Sequence, residues 1–458
     1  MRVTMLGHAC LLCETEDTRI LMDPWLVGPA NFRSWWHFPE VSVDPAKLPP
    51  LDYLYISHLH GDHFHIPTLE RLDRRPTVLV PRLYHNRMLR RLHQLGFTRV
   101  RELTHGKEVW LSPTTRARCV HMGNDSLLAL ADSSAAILNA NDCLQGNPPS
   151  VTVPALRSLA AQYHFDLAFL AFGTAGAYPK CYQFEDPAER INPRVKEQAM
   201  LNNFLQVATA VRAKAVVPFA SGFALLAENQ LWMNEVKTTP ADALEALRAK
   251  AERLTGFEMN PGDIWDSREG LMRLHPPVNW VERLTMIRQM HQGHAKELGQ
   301  IEREERRGPA DLYERFDARL TQNLRNFPFL RQRLNCCVLF EVEGWPGGQW
   351  EVDLRRPSRW FRLGNSGEWL IRLTIPSALL AEVLTDPDGW ETLGISYKLN
   401  LFMKKGARAK EGLLNRLMYT PSPGWMLRCV LSPRFSEFLL LRRKECLTWA
   451  RTKLQAYG

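Results

Sequence analysis

The sequence predicts an α/β chain whose sheets are covered by helices, followed by a smaller α+β part. Three observations predict it. Short apolar runs of strand character recur through the first half, helical stretches alternate with them, and near residue 311 a new helix and a new set of strands begin. The chain has 458 residues, about three times a domain of roughly 150, so two or three units are expected. Its 45% hydrophobic and 23% charged residues fit a chain that buries a core and exclude disordered, collagen-like and coiled-coil classes.

Residues 1–26 read as two strands around a polar turn. Val3–Leu6 leads into Leu11-Leu12, Glu14–Asp17 turns, Ile20–Met22 returns, and Asp23-Pro24-Trp25 stops the second strand. Leu51–Ser57 is a β-rich run that ends abruptly in histidines. Thr77–Val80, Asp166–Phe172 and Ala215–Val217 repeat its buried-strand character, with helical stretches at Tyr84–Leu95 and Val195–Ala213. Thr239 predicts a helix start, with Pro240 in the first position and Asp242 in the first turn. Leu244, Leu247, Ala251 and Leu254 continue it, and Gly256 ends it. His275-Pro276-Pro277 marks a boundary, and Trp280 to about Arg307 reads as a charged helical connector. From Asp311 a helix runs to about Leu324, then strands follow at Cys337–Glu343, Trp350–Leu354 and Trp369–Ile375. The domains expected are 1–270, a connector at 271–310, and 311–458.

No apolar stretch, Phe165–Ala177 included, runs uninterrupted for the ~18–20 residues of a membrane span. Met1–His8 runs straight into a strand pattern, without a signal peptide, so a soluble cytoplasmic protein is expected. Nine cysteines, an odd number in a long chain, fit reduced thiols, and Cys10-Leu11-Leu12-Cys13 reads as buried thiols rather than a metal or redox pair. Fifty-eight Lys and Arg against 49 Asp and Glu give +9, compatible with anionic substrates such as CoA esters, nucleotides or phosphates. RNP, zinc-finger and helix-turn-helix patterns are absent, so nucleic acid is not an expected partner.

Ser57-His58-Leu59-His60-Gly61-Asp62-His63-Phe64-His65 carries the chemistry. Four of the 14 histidines fall in eight residues directly after a strand, with an aspartate among them. Such a turn can present His58 and His60 to one metal ion, and Asp62 and His63 to a second. Imidazole with carboxylate suits zinc, iron or manganese, and the lack of thiolate argues against a structural zinc site.

This HxHxDH pattern after a strand resembles the metallo-β-lactamase superfamily, over most of residues 1–265. The resemblance implies an αββα sandwich with a two-metal site at the sheet edge. Asp23–Leu26, Ser57–His65, Ile137–Cys143, Gly173–Pro179 and Val217–Ala220 look more closely like one branch. That branch holds CMP-N-acetylneuraminate hydroxylase and the non-heme diiron monooxygenase of platensimycin biosynthesis. It implies three further ligands. Asp142, just past Ala136–Leu138, is the bridging candidate. His121, 21 residues earlier, is the candidate third ligand of the first site, with Asn124 and Asp125 as rivals. Most members of the superfamily carry a late histidine, but His164, His275, His291 and His294 all lie away from the strand end at Val216–Phe219. Glu228 is the nearest carboxylate and the candidate last ligand. A site this rich in carboxylate shifts the expectation from zinc towards iron. Asp62 and Asp142 are the expected catalytic carboxylates.

Two loops admit two readings each. Trp25, Phe32, Trp35, Trp36, His37 and Phe38 either wall a site for an apolar substrate or pack between domains; Gly173–Pro179 either lines the site or simply turns. Cys119-Val120-His121 has the first half of a Rieske motif without the second, and no GxGxxG opens a helix. Oxygenase chemistry would therefore take electrons from another protein, and the missing Rieske motif counts against a sialic-acid substrate. The C-terminal pattern, with Val338–Gly344, Trp350–Asp353, Trp369–Ser377 and Gly394–Leu399, looks like a sterol-carrier-type α+β module, and a capping role for the metal site fits it equally. The expectation is a non-heme diiron monooxygenase that hydroxylates a small, partly apolar metabolite, CoA- or carrier-linked, with O2 and two iron ions. The alternative is a dinuclear hydrolase, with two zinc ions, of a phosphodiester, amide or thioester.

Overall fold

Alternation along single strands builds the layers. In Arg19–Met22, Ile20 and Met22 face one core while Leu21 faces another. That period of two lets one sheet bury both its faces. The computed structural model describes residues 1–450 except 144–146, 148, 251–253, 387, 420–421, 444–445 and 449.

The first sheet has eight strands, ordered from Gly270–Met272 through Ile264–Asp266, Arg2–Gly7, Cys10–Glu14, Arg19–Met22, Tyr53–Tyr55 and Thr77–Pro81 to Val100–Leu103. Arg19–Met22, Tyr53–Tyr55, Thr77–Pro81 and Val100–Leu103 run parallel. The second sheet has seven strands. Its Ala136–Asn139, Leu167–Ala171 and Ala215–Phe219 are parallel neighbours, and Arg116–Met122 and Asp125–Ala131 form a hairpin beside them. Tyr55, Leu79 and Met22 of the first sheet share a buried core with Leu128, Leu138 and Phe169 of the second. Met88 and Leu92 of the helix Arg87–Gln94 cover the first sheet's outer face. The helices Pro149–Tyr163, Pro193–Val211 and Pro240–Lys250 pack on the second. This is the expected αββα sandwich.

Two local expectations change. Residues 1–26 form three strands, because Gly7, His8 and Ala9 turn the chain between Arg2–Gly7 and Cys10–Glu14, with His8 at φ 40°. The capping box at Thr239 forms: the Asp242 N–H donates to Thr239 Oγ1 and the Thr239 N–H to Asp242 Oδ2. Gly256, however, belongs to a short strand beside Ala215–Phe219, and Leu254 is outside the helix; Ala251 lies outside the described residues. A Cβ at Gly256 would meet the Leu247 side chain at 2.6 Å, so close helix–strand packing requires the glycine.

The connector holds the helices Arg283–Gly293 and Ala295–Glu305. Beyond it, the helix Leu312–Asn326 packs on a six-stranded sheet around Phe316, Phe340 and Trp350. The stretch Gly394–Leu399 begins in the last turn of the helix Gly389–Ile395. One edge strand of the third sheet, Tyr182–Phe184, comes from the N-terminal part and runs parallel to Asn400–Met403. Among the described residues, no helix is long and apolar enough to cross a membrane.

Phe169 is fully buried at the centre of the sandwich. Phe169→Ala should cost about 3–5 kcal/mol of stability, read as a lower denaturation midpoint; a shift worth less than about 1 kcal/mol would contradict the core described.

Candidate metal centre

The site forms where the sandwich sheets end together. The loop 57–65 leaves the strand Tyr53–Tyr55 of the first sheet, and Asp142 follows the strand Ala136–Asn139 of the second. His8 sits in the turn between the first two strands.

Asp23, just past Arg19–Met22, organises the loop. Its carboxylate is fully buried and accepts from the Ser57 N–H at 2.7 Å, from the Ser57 hydroxyl at 2.7 Å and from His63 Nδ1–H at 3.0 Å. Ser57 Oγ has given its only proton to Asp23, so it accepts from His58 Nδ1–H at 2.9 Å. Both imidazoles thereby turn Nε2 towards the centre, the outer hydrogen bonds fixing the tautomer as in metal-binding histidines.

Those inner atoms converge. His58 Nε2 and His60 Nδ1 are 2.8 Å apart. Asp142 directs Oδ2 to His58 Nε2 at 3.6 Å and Oδ1 to His63 Nε2 at 3.4 Å, one oxygen to each side. Asp62 Oδ2 lies 3.2 Å from His63 Nε2 and 3.0 Å from His8 Nε2, while Asn31 donates to its Oδ1 at 3.0 Å. Two donors each ~2.1 Å from a tetrahedral ion stand ~3.4 Å apart, and these separations bracket that value. Two overlapping groups, His8, Asp62, His63 and His58, His63, Asp142, have donor atoms within 4.8 Å of one another. His63 Nε2 and Asp142 Oδ1 are buried without a hydrogen-bond partner. The donor set thus fits a pair of ions: His58 and His60 on one side, Asp62, His63 and His8 on the other, and Asp142 between.

Of the other predicted residues, His121 and Glu228 fall elsewhere, while Asn124 and Asp125 border the cluster. His121 does not join the cluster: it is buried beside His105, and its Nε2–H donates to Leu103 O at 3.1 Å. Burial and the charge of His105 push it down to about 3. Glu228 is an exposed residue of the segment Glu228–Val236, paired with His291 at 3.1 Å, so it does not reach the cluster either. Asp125 and Asn124 line a narrow cavity of about 30 Å³ with His58 and His60, and burial, then Asp142, push Asp125 up to about 8. Sequence reasoning missed His8 and the roles of Asp23 and Asn31. A histidine directly after a glycine, between two short apolar runs, was the signal for His8.

The aromatic loop packs. Trp25 stacks on His37 at 3.8 Å and Trp35 on Phe223 at 3.6 Å, and Trp35 Nε1–H donates to Ile395 O. In Gly173–Pro179, the Ala177 N–H donates to Gly394 O at 2.7 Å, so this loop meets the C-terminal part. Cys10 and Cys13 are buried free thiols, both raised by burial.

Residues 2–123 match the model of the beta-lactamase superfamily domain. That stretch, which includes the loop 57–65, is thus similar to a domain of this superfamily. A Mycobacterium tuberculosis protein named for a Rieske 2Fe-2S iron-sulfur centre is 32% identical over 286 residues, 58% of this chain and 54% of that protein. Cytidine monophosphate-N-acetylneuraminic acid hydroxylase of Danio rerio is 27% identical over 284 residues, 58% of this chain and 46% of the hydroxylase. The chain thus spans about half the length of the curated relatives it matches. CmlA, a diiron beta-hydroxylase from Streptomyces venezuelae, overlays with a TM-score of 0.39 at 20% identity, covering 60% of this chain and 54% of CmlA. Igni18, a metallo hydrolase from Ignicoccus hospitalis, overlays with a TM-score of 0.40 at 15% identity, covering 60% of this chain and 99% of Igni18.

Asp142→Ala should lower occupancy at both sites and His8→Ala at one, measured as metal per chain after dialysis against a chelator. His121→Ala and Glu228→Gln should keep both ions. In the metal-free protein, burial opposes charge on His60 and His63. The Glu391 hydrogen bond nevertheless pushes His60 up to about 10, and the field of Asp142, Asp62 and Asp23 raises His63. Both are then protonated at neutral pH, so ions must displace protons. Affinity should rise with pH until His60 loses its proton at about 10, and calorimetry in buffers of different ionisation enthalpy should register the proton release.

Proposed function

We propose that this chain is a non-heme diiron monooxygenase that hydroxylates a small metabolite with O2 and electrons from a separate protein. The observation that carries the reading is the Asp142 carboxylate set between His58 and His63, with only imidazole and carboxylate donors around it. Such hard and borderline donors suit iron as well as zinc. The name of the Danio rerio relative, a hydroxylase, supports oxygenation, and the name of the M. tuberculosis relative supports a Rieske-type electron donor.

Iron, when bound, would supply O2 activation. The chain's own part is positional. Asp142, set between His58 and His63, would hold ions on both sides. Asp62, fixed by Asn31 on one oxygen, presents the other to the second site. The helix Gly389–Ile395 lies over the mouth with Glu391 on His60, limiting water beside the reacting carbon. The stacked rings of the aromatic loop are committed to packing, so substrate recognition falls to other residues. A cytoplasmic location belongs to the same proposal.

The test is metal content and optical spectrum of protein purified without added metal. About two irons per chain, with near-ultraviolet absorption that changes on reduction and O2 exposure, is the expected result. Two colourless zincs that persist after growth in iron-rich medium would overturn it in favour of two-metal hydrolysis.

A further inference from the structure

The His60 ring has two ends, and the N-terminal sandwich accounts for only one. Its Nδ1 faces His58 Nε2 at the centre. On an imidazole the second nitrogen points away from the first, and here Nε2 meets Glu391 Oε1 at 3.3 Å. Glu391 belongs to the helix Gly389–Ile395 of the C-terminal part, 331 residues further along the chain. His58 and His63 have outer partners within the sandwich, Ser57 and Asp23. His60 takes its outer partner from the other domain.

We infer that Glu391 is a positioning residue of the metal centre: by accepting from His60 Nε2–H it fixes the ring with Nδ1 towards the first ion, so docking of the C-terminal domain completes that site. The inference rests on the dimetal reading above. Glu391 lies on the far side of the ring from His58, which excludes it as a direct ligand of the same ion. Its neighbours hold it in place. Asp388, one helical turn earlier, pairs with Arg87, and Asp386 pairs with Arg91 at 2.6 Å, both arginines lying on the helix Arg87–Gln94 of the sandwich. The Gly394 and Ile395 carbonyls accept from the Ala177 N–H and Trp35 Nε1–H. The helix is thus pinned along its length, and Glu391 reaches His60 from a fixed base. Outer-shell carboxylates of this kind orient the ring and raise its basicity, an effect worth about 10- to 100-fold in metal affinity.

The experiment is a cobalt(II) titration of the full chain, read from the d–d absorption, for the wild type, Glu391→Ala, Glu391→Gln and Arg91→Ala. Glutamine keeps an acceptor for Nε2–H without the charge. Arg91→Ala breaks a neighbouring ion pair between the same domains without touching His60. The expected result is two ions in the wild type and a loss of about 10-fold or more at one site in Glu391→Ala. That site's band should shift, Glu391→Gln should show a smaller loss, and Arg91→Ala should match the wild type. Equal affinity at both sites in Glu391→Ala would overturn the inference. So would an equal loss in Arg91→Ala, since docking alone would then account for the effect. A wild type that binds fewer than two ions would instead remove the dimetal reading beneath it. Glutamine is isosteric with glutamate, so that variant reports even where the alanine variant does not fold.

Discussion

The candidate metal centre depends on one fully buried carboxylate that holds the loop rather than joining the donor cluster. Asp23 accepts three hydrogen bonds from the loop after Tyr53–Tyr55, and each removes a freedom that would otherwise blur the site. The Ser57 N–H fixes the backbone where the strand gives way to the loop. The Ser57 hydroxyl fixes His58 by proton logic, and His63 Nδ1–H is held directly. A buried carboxylate without such partners would cost several kcal/mol, so the loop cannot leave Asp23 without exposing that penalty. Asp23 itself sits at φ 44°, a backbone state that the neighbouring strands must hold in place. The sandwich thus stabilises a polar network, and the network aims two imidazoles.

A second constraint comes from charge. His8, His58, His60 and His63 converge on Asp62, Asp125 and Asp142 in a confined space. Without ions the cluster settles its charge unevenly. Burial, then the charges of His63 and His60, hold His58 well below the ordinary histidine value. Against its own burial, Asp62 is held well below the carboxylate range, chiefly by His63. Protons on His60 and His63 stand where cations would stand. A cation pair serves the same electrostatic purpose with firmer geometry, because each ion accepts a lone pair from several donors at once.

The sequence reveals this centre in proportion to how local its parts are. His58, His60, Asp62 and His63 lie within six residues of each other, and the spacing alone brings them together. Asp142 was legible through the superfamily resemblance, as the aspartate just past Ala136–Leu138. His121 shows the limit of spacing: it fixes a place along Arg116–Met122, but side chains alternate faces along a strand, and this one turns to Leu103 and His105. His8 was hidden by reading residues 3–12 as one strand, since the turn at Gly7–Ala9 is short and carries no proline or asparagine. The strand Tyr182–Phe184, paired with Asn400–Met403, and Glu391, set on His60, are contacts between distant parts of the chain, and no local pattern announces them.

The attachment of the C-terminal part follows from magnitudes. Its partly exposed ion pairs to the sandwich, Arg87–Asp388 and Arg91–Asp386, are worth at most about 1 kcal/mol each and weaken in salt. They fix where the helix Gly389–Ile395 sits but contribute little of the docking energy. The holding falls to the shared sheet and to buried contacts. Phe184, on the strand lent by the sandwich, is buried in the C-terminal core, and removing such a ring from water contributes ~2–3 kcal/mol. Tyr397 and Ile395 pack with Trp25, Trp35 and Phe223 in a separate buried cluster. The same aromatic loop therefore supports His8 on one side, where its ring meets those of Trp25 and Trp35 edge-on, and seats the C-terminal domain on the other. Any shift of the C-terminal part must disturb the packing around His8 as well as the Glu391 carboxylate on His60.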